Sequence, residues 1–308
     1  MKHASSPLND ESQAGMDAGG RAWPLVLAFV AVLSISGWAY LIAMVADMVP
    51  VMDMSQAGPG MGVLNRFNLF RDLSPDARAA LAVLCLPAGA TFGMPGTEMT
   101  LADLVRIFLM WVMMAVAMML PTAVPMLRSY SSRLSAQGGK AGASALPVVS
   151  AALGYLLVWI AYALVATLAQ WLLFSLGALS EMMAPVSLAL TTSVLFVAGL
   201  YQFTPAKQAC LRRCWYPRWV GGGEPGQLLS GFREGVIQGR ACLGCCWAVM
   251  TVMFAVGIMN IVWIALLGGV MALEKTFPSR ILPAAIGVFL ILWAVFLAST
   301  VLLAAAPA

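Results

Sequence analysis

Charge and histidine are what this chain has least of. Only 10% of its 308 residues are charged, and its single histidine is His3. Soluble domains carry about 25% charged residues, so this chain has too little polar surface to cover a globule in water. With one histidine, in a polar tail, a His-ligated haem, a His-rich zinc site and a Ser-His-Asp triad are excluded. The phosphate-cradling pattern G-x-x-x-x-G-K-[ST] is absent, which excludes a P-loop nucleotide site. Ionisable residues are nearly missing from the long apolar runs. Proton-coupled transporters carry a buried acid or histidine there, and an enzyme would need a general acid or base. Neither an active pump nor an enzyme is expected, and no nucleotide or nucleic-acid partner is implied.

What the chain does have is hydrophobicity, at 61% of residues. The expected fold is all-α: a polytopic transmembrane helical bundle in a lipid bilayer, forming one domain over 23–308. A polar stretch rich in Ser, Asp and Gly, 1–22, precedes it and is expected to be a disordered cytoplasmic tail. It does not look like a signal peptide, because the apolar run after it is long and lacks a small-residue cleavage site. A span needs about 20 apolar residues. Six segments satisfy this, at approximately 24–46, 104–126, 147–174, 184–203, 236–257 and 283–305. A seventh, 259–273, is short. The apolar stretch from Ala241 to Leu273 is too long for one straight crossing, so a tight turn is expected near Gly257–Asn260. The alternative is one long kinked helix and six spans in all. Ser74 and Pro75 are a good helix start, and the run they open, 75–93, is expected to be a short interfacial or re-entrant helix.

Lys and Arg set the orientation. The loop 128–146 carries Arg128, Arg133 and Lys140 without an acid, and 204–235 carries Lys207, Arg212, Arg213, Arg218 and Arg233. Lys275 and Arg280 lie between the last two spans. Under the positive-inside rule these segments face the cytoplasm. Seven spans then place the N-terminus inside and the long segment 47–103 outside, in what is expected to be a bacterial inner membrane.

This orientation puts Cys210, Cys214, Cys242, Cys245 and Cys246 on the reducing side and only Cys85 outside. Thiols there stay reduced, so metal ligation or plain packing is expected rather than a disulfide framework. Cys242, Cys245 and Cys246 are spaced i, i+3, i+4 and share one helix face. Cys210 and Cys214 are spaced i, i+4 near the same membrane face. Thiolates are soft ligands for Cu(I) or Zn(II). Arg212, Arg213 and Arg240 nearby would favour the thiolate form. The bland alternative is that cysteine is a small residue that is commonly buried.

Methionine is the second signal, with 21 copies. Met110, Met114 and Met118 form an i, i+4, i+8 stripe. Met48, Met52 and Met54 crowd the outer end of the first span and the loop after it, with Met44 and Met61, and offer a second, outer thioether set. Met250, Met253 and Met259 line the fifth span. Thioethers bind Cu(I) and not hard cations, which makes copper the first choice over zinc. Methionine is also an ordinary gap-filler in apolar helices. Pro121 and Pro125 are expected to kink the second span. Gly235 and Gly239 form a small-xxx-small pair suited to close helix approach.

The run from Met110 to Pro121, the run Tyr201–Lys207 leading into Cys210 and Cys214, and the run Gly239–Trp247 followed by Gly257–Asn260 and Glu274-Lys275 occur in this order. Together they resemble the signature of the bacterial predicted metal-binding integral membrane proteins, over roughly 104–280. Some members of that family are labelled copper chaperones. The resemblance implies metal binding by the Cys group and the Met stripe, and it adds little for the outer methionines. The leading expectation is a Cu(I)-handling membrane protein that passes the ion across the bilayer or to a partner, a cuproprotein being assembled or a soluble metallochaperone. The rivals are a metal-free scaffold whose Cys and Met only pack helices, and a thiol-transfer protein using Cys245 and Cys246. Adjacent cysteines on a helix are poorly placed for an unstrained disulfide, which ranks the last reading lowest.

Overall fold

The computed structural model describes residues 7–50, 53–68, 100–136, 144–180, 184–219 and 228–305, with side chains described between 23 and 300. Met52, Cys85 and the helix expected over 75–93 lie outside the described residues. Ten α-helices follow one another there, with two short 3₁₀ turns at Met54–Ala57 and Met61–Phe67. The described residues hold no strand, only one isolated bridge between Leu179 and Pro185. The expected all-α class is therefore what the chain adopts.

Helix α1 runs Pro7–Met48, so helical backbone begins inside the polar tail rather than at its end. Helix α2, Leu101–Thr122, starts on a reciprocal capping box between Thr100 and Asp103, which satisfies backbone donors that a helix start otherwise leaves open. Pro121 and Pro125 flank a break at Ala123, after which α3 runs Val124–Ala136. Helix α4, Leu146–Ser175, carries Pro147 in its first turn. Helix α5, Leu188–Tyr201, and α6, Pro205–Trp215, are two limbs bent by 63°. Thr204 caps the second limb and Pro205 opens it. Helix α7, Leu228–Thr251, continues after one residue into the single turn α8, Met253–Val256.

The turn expected at Gly257–Asn260 is present. Gly257 has φ +99°, a left-handed backbone that favours glycine. Asn260 then caps α9, Ile261–Thr276, by accepting from the Trp263 amide. Helix α9 returns alongside α7, so that Lys275 near its end reaches Cys242. Helix α10, Ile281–Ala305, closes the bundle.

Five of these segments are long and apolar enough to cross a bilayer: Trp23–Met48, Leu101–Thr122, Leu146–Ser175, Leu228–Val256 and Ile281–Thr300. The bent α5–α6 pair makes a sixth if taken together. The segment expected as a short seventh span is α9, whose 16 residues are about 24 Å long.

Packing around the future site rests on α4 and α7. A Cβ on Gly231 or Gly235 of α7 would run into the backbone oxygens of Pro147 and Ala151, one helical turn apart on α4, and one on Gly239 would be tight against Val158 and the Tyr155 carbonyl. The predicted Gly235/Gly239 pair thus lets two backbones touch, and Gly231 extends it by a turn. This close approach brings Tyr155 across to α7. On the other side of α4, Trp111 of α2 donates to buried Gln170 at 2.8 Å and stacks on Phe254 of α8 at 5.5 Å.

Candidate metal centre

The α7 cysteines are the centre of the arrangement. Cys242, Cys245 and Cys246 are all buried, and their sulfurs lie within 4.8 Å of one another. Cys245 and Cys246 are 3.4 Å apart, and Cys245 also donates to the carbonyl of Cys242 at 3.1 Å. The second limb of the bent pair brings in a fourth thiol: the Cys214 sulfur of α6 is 3.7 Å from that of Cys245. All four are free thiols. A tetrahedral thiolate cage with metal–sulfur bonds near 2.3 Å separates its sulfurs by about 3.8 Å. The two sulfur–sulfur contacts made by Cys245 are already close to that spacing.

Cys210 is placed differently. Its sulfur rests on Gly244 of α7, where a Cβ would lie only 2.5 Å from it. It is half-buried. Of the predicted pair, α6 therefore brings Cys214 to the cluster and packs Cys210 beside it.

The cations expected near the thiols do not supply the contact. Arg212 and Arg240 are exposed, and Arg213 donates to the carbonyl of Arg218. The charged group on the cluster is Lys275, whose Nζ is 2.8 Å from the Cys242 sulfur and 2.6 Å from Thr122 Oγ1. Sequence reading left Lys275 in a loop, because lysine after an apolar run marks a helix end. Tyr155 was missed too: its hydroxyl lies 2.8 Å from the Cys242 sulfur and 3.1 Å from the Met119 carbonyl. Its only sequence signal was a polar atom one turn from small residues on a helix face. Cys242, Cys214, Lys275, Tyr155, Thr122 and Gln238 border a cavity of about 30 Å³, room for an ion or a water beside the thiols.

The scarcity of ionisable groups also needs correcting. Lys207 of α6 and Glu274 of α9 are fully buried and paired at 2.9 Å. Glu234 of α7 is buried with one carboxylate oxygen lacking a partner. Hydropathy assigned the first two to inner loops and Glu234 to the end of one, whereas tertiary packing encloses them.

The methionines divide. Met110, Met114 and Met118 are buried along α2, and Met118 packs beside Gly268 of α9. The Met119 sulfur lies 3.9 Å from Lys275 Nζ, and Met126 lines the cavity with Cys214 and Cys242. The outer set is not an aqueous cluster: Met48 and Met54 are buried, as are Met44 and Met61. The segment that carries Met54 and Met61 is clasped to the α8–α9 turn by Asn260, which donates to the Pro59 carbonyl at 2.9 Å. Met44, Met48, Met54 and Met61 are side chains of the buried core.

No curated protein and no solved structure matches the chain. A family model, PpoB2, described as copper chaperone, matches residues 108–297 and so runs from within α2 to within α10, with every cysteine of the cluster and Lys275 inside its bounds. The chain belongs to the PpoB2 copper chaperone family.

Proposed function

We propose that this protein is an integral membrane copper chaperone that holds Cu(I) as cargo on Cys242, Cys245, Cys246 and Cys214 and releases it by ligand exchange to a cuproprotein or a soluble metallochaperone. The observation that carries the reading is the convergence of four free thiols around Cys245, with sulfur contacts of 3.4 and 3.7 Å. Soft thiolates suit Cu(I), and exchange between sulfur donors needs no nucleotide, in keeping with the missing P-loop. Lys275 has a plain role here. A monovalent ion on several thiolates leaves net negative charge in a region of low dielectric, and an ammonium at 2.8 Å offsets it. Tyr155 and Thr122 hold Cys242 and Lys275 in place. Zn(II) is the competing ion for the same thiols.

Placement in a bilayer is supported by the apolar side chains exposed along α4 and α10, among them Leu157, Leu164, Leu168, Phe289, Leu292 and Phe296. Such faces are stable against lipid and not against water. The reading keeps the N-terminus and the thiol end cytoplasmic, in a bacterial inner membrane, and assigns no catalysis. Elemental mass spectrometry after anaerobic Cu(I) loading tests it, beside a variant with Cys214, Cys242, Cys245 and Cys246 changed to Ser. Near-stoichiometric copper in the first and background in a still-folded second is the expected result. Equal background in both overturns it and leaves a metal-free scaffold, while a preference for zinc in a mixed load replaces the cargo.

A further inference from the structure

Resting on that reading, we infer that the buried Lys207–Glu274 pair is a latch that positions Cys214 on the thiol cluster, so that α6 acts as an arm able to add or withdraw the fourth sulfur. The argument begins with the bend. Helix α6 leaves α5 at 63° and carries Lys207 and Cys214 at i, i+7, on one face. It is joined to α9 at both of its ends through a single residue. At its first turn, Lys207 Nζ contacts both oxygens of Glu274 at 2.9 Å and also the side-chain oxygen of Gln202. At its last residue, Trp215 Nε1 donates to the Glu274 carbonyl at 2.8 Å. Cys214 lies directly before that second anchor and 3.7 Å from Cys245.

A buried ion pair is weak evidence for stability, because desolvation offsets much of the attraction, but it defines geometry sharply. Charges enclosed in an apolar bundle are rare enough to need a reason. The reason here is placement. Glu274 holds the α6 thiol, while its neighbour Lys275 contacts the α7 thiol Cys242. Two consecutive residues of α9 thereby set the distance between the two halves of the site. Lys207 and Glu274 touch neither the cargo nor the thiols and are positioning residues.

The test has a metal-free arm and a copper arm. In a chain keeping only Cys214 and Cys245, with Cys85, Cys210, Cys242 and Cys246 changed to Ser, diamide oxidises the two thiols to a disulfide and is itself reduced, taking up both electrons and both protons. Peptide mapping follows the rate. Glu274→Gln is expected to slow this at least tenfold, and the exchanged pair Lys207→Glu with Glu274→Lys to restore it. A rate that Glu274→Gln leaves unchanged overturns the inference, whatever the protein does with metal. In the full chain, Glu274→Gln is expected to weaken Cu(I) binding about tenfold when Cys214 is present and to add nothing in a Cys214→Ser background. Equal weakening in both backgrounds means the pair serves general packing, and overturns the inference. Absence of copper from the wild-type chain sinks the copper reading instead and leaves the disulfide arm to decide on the latch.

Discussion

Replacing Lys275 with Leu isolates the electrostatic part of the site. Leucine keeps an apolar stem, removes the ammonium and, unlike methionine, brings no soft donor to the thiols. The neighbours it leaves are not stranded: Thr122 Oγ1 still donates to the Met119 carbonyl at 2.7 Å, and Tyr155 still contacts Cys242 at 2.8 Å. The loss is therefore that of the 2.8 Å contact between Nζ and the Cys242 sulfur, with the 2.6 Å hydrogen bond to the neutral Thr122 hydroxyl. Removing one partner of a buried, hydrogen-bonded charge pair costs about 2–5 kcal/mol. Because Tyr155 continues to hold Cys242, the lower part of that range applies, about 2–3 kcal/mol. At 1.4 kcal/mol per decade this is roughly a 30- to 150-fold weaker Cu(I) affinity. Anaerobic competition against a chromophoric Cu(I) chelator at pH 7 measures it, with the thermal midpoint in detergent as a folding control. An affinity within threefold of wild type, in a background where Cys242→Ser does weaken binding, would refute the assignment of Lys275 as the counter-charge.

Three further outcomes follow from single contacts. Gly235→Ala places a methyl group against the Ala151 carbonyl, so α4 and α7 must separate; the expected cost is about 1–3 kcal/mol, seen as a lower thermal midpoint together with weaker copper binding. Asn260→Ala removes the α9 cap and one of the two donors to the Pro59 carbonyl, the other being Trp263 Nε1, at about 1 kcal/mol or more; faster proteolysis within 53–68 would report it, and an unchanged cleavage rate would count against Asn260 as the clasp. Cys210→Ser should change copper affinity by less than threefold, because that sulfur packs on Gly244, whereas Cys214→Ser should lower it about tenfold; competition titration of the two side by side separates them.

The parts of the site that sequence disclosed were those on one regular helix. Cys242, Cys245 and Cys246 share a face because the i, i+3, i+4 spacing is a property of the α-helix itself, and the Gly235/Gly239 contact is of the same local kind. What sequence left hidden depended on where helices end and turn. Cys214 reaches Cys245 through the bend between α5 and α6, and no periodicity within either limb encodes that angle. Lys207, Glu274 and Lys275 sit near helix ends, where a hydropathy window averages them into a loop, so their burial was invisible. The methionine stripe was legible as a helix face, yet Met119, which meets Lys275, and Met126, which lines the cavity, both lie outside it. Met54 and Met61 lie on a short polar segment that reads as a loop, and its contacts with the α8–α9 turn hold it against the core.

The ends of the shorter helices also explain why polar chemistry gathers where it does. Thr122 is the last residue of α2 and Lys275 is one residue from the end of α9. Helices α4 and α7 continue past that level. From Tyr155 back to Leu146 is about 14 Å of helix, and from Cys242 back to Leu228 about 21 Å. The thiols thus lie in a space walled by two long helices where two shorter ones stop, and Pro125 and Met126 of α3 and Cys214 of α6 line its cavity. Residues at a helix terminus have backbone groups to satisfy and less hydrocarbon around them, so a lysine, a glutamate and a cluster of thiols are tolerated there at lower cost than in mid-span. On the proposed reading, a Cu(I) ion that arrives from the side where α4 and α7 begin need not cross the apolar region where Trp111 packs on Phe254. The architecture therefore suits holding and handing over an ion at one face better than conducting it through, and copper uptake by reconstituted vesicles, if it ran through this chain, would contradict that view.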